Sequence, residues 1–130
     1  MKNIVTILCS ILLMSSCNLS KKEAIKVNKS SIKQEIKTLL NDWHLAATEA
    51  NYNNYFSKMD SISVFIGTDA TEKWNKQQFE ALSKPYFVNG KAWDFKTLER
   101  NIYINQSGDF VWFDELLNTW MGTCRGSGVL

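Results

Sequence analysis

A single proline, a single histidine and only three cysteines among 130 residues leave several kinds of protein out of reach. So few nitrogen and sulfur donors make no convincing zinc set, so no metal is expected. No phosphate-cradling glycine loop and no strand–turn–helix serine elbow occur, and "RGSG" near the end is not followed by lysine. No cofactor is expected from the residues. The apolar run from Ile4 to Met14 is too short to span a bilayer as a helix, which needs ~20 residues. An excess of one charge is also missing, with 15 basic and 13 acidic residues giving +2. The lysines at 21, 22, 26, 29, 33 and 37 crowd one polar stretch without aromatics, so nucleic acid is not an expected partner.

What is present begins with an address. Lys2, the short apolar run and Ser15-Ser16 form a secretory signal peptide over residues 1–16. Cys17 directly after the small residues resembles the lipobox of bacterial lipoproteins, with Met14 where leucine is usual. The expectation is an exported, membrane-anchored lipoprotein of the bacterial cell envelope, on its periplasmic or surface side. Lipid would sit on Cys17, and residues 17–30 would be a flexible, lysine-rich tether near anionic headgroups. Cys9 would leave with the signal, so Cys124 remains as the one free thiol. An internal disulfide is then excluded, and Cys124 reads as a small buried filler.

Residues 31–130 read as one domain. Ser31 and Gln34 form a capping-box pattern. Ile32, Ile36, Leu39, Leu40, Trp43, Ala47 and Ala50 follow at helical spacing. "NNYFSKM" predicts a short helix or turn, "SISVFIG" a strand and "TDATEKW" a polar turn. Asn75 caps a third helix that Pro85 ends or deflects. "KAWDFKTLE", "RNIYINQ", "DFVWFDELL" and "GTCRGSGVL" predict strands, with Ser107-Gly108 as hairpin turn chemistry. Helices first and antiparallel strands after them define an α+β domain.

"WHLAATEANYNNYF", "VFIGTDATEKW", "VWFDELL" and "CRGSGVL", in that order, resemble the SnoaL-like branch of the nuclear transport factor 2-like superfamily. The resemblance covers about residues 32–130. It implies a cone-shaped fold, in which a strongly curved antiparallel sheet wraps N-terminal helices around an internal pocket. It also implies homodimers through the outer sheet face. Asn51 stands where the family often has an acid, so no acid role is carried to it. The family continues past "GSGVL" into one further strand, so a truncated or frame-shifted product, or a fragment, is expected. A version extended by that strand should be more stable.

Candidate chemistry centres on few groups. His44 lies on or beside the helical stripe and has the near-neutral pKa of a general acid/base, although a hydrogen-bonded core histidine is the plainer alternative. Asp114 and Glu115 are adjacent in a strand and so point to opposite faces, each with apolar neighbours. At least one must then be paired or have a raised pKa, and Arg125 on the next run is the evident partner. Either a buried salt bridge results, or one carboxylate points into the pocket near His44 as a catalytic or ligand-binding group. Asp69 and Glu72 flank a strand end, where turn and capping roles compete with ligand binding. Trp43, Trp74, Trp93 and Trp112 read as pocket wall or core, and the glycines of "RGSG" as a bulge or tight bend.

Three functions stay open. The first is a lipid-anchored domain binding a small, partly apolar ligand, which the aromatic content favours. The second is an isomerase, cyclase or dehydratase using His44 with Asp114 or Glu115. The third is a dimerisation or protein-interaction module. Asp69, Arg125 and the four tryptophans are the expected ligand contacts.

Overall fold

The first helix starts earlier than the pattern at Ser31 predicts. In the computed structural model, which describes residues 27–130, the Asn28 side chain accepts from the Ser31 amide at 3.2 Å. Asparagine is as good an N-cap acceptor as serine, so helix α1 runs Lys29–Thr48. Ser31 then falls in the first turn, where its hydroxyl donates to Glu35. The expected signal peptide, Cys17 and the tether as far as residue 26 lie outside the described residues.

Asn51 caps the next helix, α2 (Tyr52–Ser57), by accepting from the Asn54 amide at 3.1 Å. Strands β1 (Val64–Ile66) and β2 (Lys73–Asn75) pair antiparallel as a two-stranded sheet. β2 corrects the reading of "TDATEKW" as turn throughout. The turn ends at Glu72, whose carboxylate accepts from the amides of Thr68 and Asp69 at 2.9 and 3.2 Å. Beyond it Trp74 pairs with Phe65 across the ladder.

Asn75 and Gln78 form a complete capping box at the start of helix α3 (Lys76–Val88). Pro85 neither ends nor divides this helix. Interior proline costs about 3 kcal/mol, but Phe79, Ser83 and Phe87 make one buried stripe that continues past it. Burying a phenylalanine side chain contributes roughly 1.5–3 kcal/mol, so Phe87 offsets much of that cost in the last turn.

A three-stranded antiparallel sheet closes the described chain, in the order β3 (Lys96–Ile104), β4 (Val111–Thr119), β5 (Gly122–Val129). β3 is one strand where two runs were expected, and its register with β4 shifts between Thr97 and Glu99. The β4–β5 register, by contrast, is unbroken from Trp112 opposite Val129 to Thr119 opposite Gly122. The "RGSG" glycines therefore make no bulge. They make room. A Cβ on Gly128 would come within 2.7 Å of the Phe113 ring, and one on Gly126 within 3.4 Å of Glu115 Cγ.

Two apolar clusters hold these layers. Ala46, Ala47, Tyr55, Phe56, Phe79 and Phe87 form an aromatic cluster among the helices. Leu40, Ile102, Val111 and Phe113 join α1 to the sheet. Trp43 packs against both. The domain is α+β, with the helices leading and an antiparallel sheet following, as the order of sequence patterns predicts.

Candidate functional site

Helical spacing places Leu40, His44 and Ala47 along one side of α1, and Leu40 and Ala47 are fully buried. That face meets the inward row of β4, where Val111, Phe113, Glu115 and Leu117 alternate with outward residues. His44 Nε2 lies 2.7 Å from Glu115 Oε1 across this contact. Glu115 is only 2 % exposed.

The second carboxylate oxygen is held by a residue that the sequence reading missed. Arg100, opposite Glu115 on β3, donates from Nε to Glu115 Oε2 at 2.8 Å, and its Nη2 lies 2.8 Å from the same oxygen. Its remaining donors reach Asn41 Oδ1 at 2.7 Å, Thr97 Oγ1 at 2.8 Å and the Lys37 carbonyl at 3.3 Å. The guanidinium thus ties α1 to both strands. A sequence signal for it existed, since Arg100 falls in the period-two row of Ile102 and Ile104.

Electrostatics fix the proton at this contact. Burial alone pushes the Glu115 carboxyl up, but hydrogen bonds and charge from His44, and then from Arg100, outweigh it and hold the pKa below its usual value. An ionised carboxylate only accepts, so His44 Nε2 carries the proton donated to Glu115. With Nε2 donating, Nδ1 is the acceptor nitrogen of that tautomer. Beside it, Trp43 stacks on Tyr55 with centroids 5.0 Å apart, and its Nε1 is buried without a partner among the described residues.

Asp114 behaves differently. It points to the other sheet face, where Arg125 Nη1 donates to Oδ1 at 2.8 Å and the Tyr103 hydroxyl to Oδ2 at 3.3 Å. Arg125 therefore pairs with the outward carboxylate, and Arg100 with the buried one. Trp112 shares the outward face, stacked on Tyr103 at 5.4 Å and flanked by Phe110. The structure does not bring Asp114, Arg125 or Trp112 to His44.

Asp69 is a turn residue, accepting from the Thr71 amide and hydroxyl at 2.8 and 2.6 Å. Those bonds hold its carboxyl below the usual range. Trp74 packs on Phe65 and Phe79. Trp93 packs edge-on against Tyr55 and Phe87. Cys124 is partly buried and unpaired, with Thr119 Oγ1 at 3.5 Å.

Recesses open on the described surface away from His44 and Glu115. One, of about 400 Å³, lies along α1 beside Glu35, Leu39, Asp42 and Lys58. Another is an open groove of about 580 Å³ between Thr48 at the end of α1, the Gly90–Lys96 link and the β4–β5 turn at Trp120. It begins one helical turn beyond His44, whose carbonyl accepts from Thr48 Oγ1. Of the four tryptophans singled out from sequence, only Trp93 lines it.

Leading helices packed on an antiparallel sheet, with a polar chain crossing their interface, define a class of α+β domain shared by binding proteins and enzymes. The chain belongs to the SnoaL-like domain family, which matches residues 36–130. Among solved structures it is similar to the helical cell-shape-determining protein Pgp2 from Campylobacter jejuni. The two are 22% identical with a TM-score of 0.50, over 71% of this chain and 32% of that one. The chain thus spans about a third of that protein's length, and the likeness is one of fold. No match is found among the curated proteins compared.

Proposed function

We propose that this is a small-molecule-binding domain of the SnoaL-like type, carried on the outer side of a bacterial membrane by lipid on Cys17. The observation that carries the binding reading is the groove at Thr48, Trp93 and Trp120. Its volume of about 580 Å³ falls within the roughly 300–1,000 Å³ usual for small-ligand sites. A thermal-shift screen of the full chain against small amphipathic molecules tests it. A ligand at a hundred times its Kd stabilises a protein by about 2.7 kcal/mol. A screen that shifts nothing, with native mass spectrometry finding only bare chain, would sink the reading. Lipid labelling that persists in Cys17→Ser would sink the anchor.

The His44–Glu115 contact favours a second reading, an enzyme of the isomerase, cyclase or dehydratase kind. His44 Nδ1 would take a proton from substrate, while Glu115 stabilises the imidazolium that forms. Once a substrate is in hand, His44→Ala should abolish turnover while leaving substrate affinity nearly unchanged. Equal turnover in the variant removes the reading. The exposed Tyr103, Phe110 and Trp112 on the outer sheet face support a homodimer through that face, and a monomeric mass in analytical ultracentrifugation would exclude it.

A further inference from the structure

Groove chemistry narrows the ligand class. Trp120, at the β4–β5 turn, is 85% exposed, an unusual position for the largest apolar side chain. Trp93, also in the lining, is anchored edge-on by Tyr55 and Phe87 at 5.3 and 5.4 Å. Two indoles thus border one crevice, one braced by the core and the other free to settle against a bound molecule.

The charges are unequal. Lys91, Lys96 and Asp94 line the groove. Asp94 is already engaged, accepting from Thr48 Oγ1 at 3.1 Å and lying 3.9 Å from Lys96 Nζ. Lys91 has no carboxylate within ion-pair distance among the described residues. One lysine without a carboxylate partner is left in a lining that also holds two indoles. The Asn118 amide, also in the lining, has no side-chain partner among those residues and can hydrogen-bond a ligand.

We propose that the groove is a site for a small flat molecule with one anionic group, of the aromatic-carboxylate class. The ring lies against Trp120 and Trp93, and the carboxylate meets Lys91, with Lys96 beside it. This rests on the small-molecule-binding reading and gives it a chemistry. An aromatic cation would face the lysines unfavourably, and a neutral ring would leave Lys91 unused.

The test uses the full chain with naphthoate, and naphthylmethanol as the uncharged counterpart of the same shape. Naphthoate should quench tryptophan emission and bind roughly two- to fivefold more tightly than the alcohol, the ratio expected for one solvent-exposed charge contact. Lys91→Gln should bring the two to similar affinity, and Trp120→Ala should weaken both, with circular dichroism confirming that each variant folds. Equal binding of acid and alcohol by the parent chain overturns the anionic class but leaves the groove as a binding site. Naphthoate affinity unchanged in Lys91→Gln and in Trp120→Ala overturns the location. Binding of neither compound at millimolar concentration overturns this proposal, while the broader ligand screen still judges the binding reading by itself.

Discussion

Asp114 and Glu115 are neighbours in one strand with the same charged group, and the sheet assigns them opposite physics. Asp114 meets Arg125 on a face where the two side chains keep 27% and 62% of their surface in water. Glu115 meets Arg100 and His44 where the carboxylate keeps 2% and the guanidinium 7%. Solvent screens the outer pair, which can separate at little cost. The inner set has no solvent to fall back on, so each member depends on the others being present. A carboxylate's role is therefore decided by strand parity and its partners on adjacent elements.

Substitutions can break that contrast in order of expected effect. Glu115→Ala should cost about 3–5 kcal/mol, because it strands a buried guanidinium, whereas Asp114→Ala should cost below about 1 kcal/mol. Urea denaturation of the two variants checks this, and similar losses would erase the contrast. Next, Gly128→Ala should cost roughly 1–3 kcal/mol by driving a methyl into the Phe113 ring, with Gly126→Ala milder because its nearest contact is 3.4 Å.

The acid limb of stability sharpens the inner half of the comparison. Glu115 holds its proton off to lower pH in the folded state than in the unfolded one. Its contribution is complete above the ordinary value of 4.5 and is lost as pH falls through the lower folded value. Unfolding free energies followed from neutral into acid pH should fall less steeply for Glu115→Gln, and parallel curves would contradict the lowered pKa. Smallest of all, Arg125→Ala should change stability by less than about 1 kcal/mol, and by still less at high salt.

Much of this was legible in the residues. Period-two alternation in "VWFDELL" separates the faces of Asp114 and Glu115, and helical spacing from Leu40 turns His44 inward. Arg100 was hidden because its strand was divided into two runs at that residue, so the period-two row it shares with Ile102 and Ile104 opened on a charge and not on an apolar side chain. β2 was missed because three residues after a polar turn hold too little pattern to distinguish from loop. Pro85 misled because a local rule about amide donors was outweighed by a buried stripe running through it. The glycines of β5 were assigned backbone freedom, but their task is set by side chains on the neighbouring strand, which no local pattern displays.

Trp43 carries a consequence for how this domain comes apart. Its ring is shared between the aromatic cluster of the helices and the cluster joining α1 to the sheet. Next to it, His44 reaches 71 positions along the chain to Glu115. Local opening of either half would have to expose that ring and leave a charge buried without its partner. Hydrogen exchange should therefore find α1 and β4 protected to the same free energy, as a single cooperative unit.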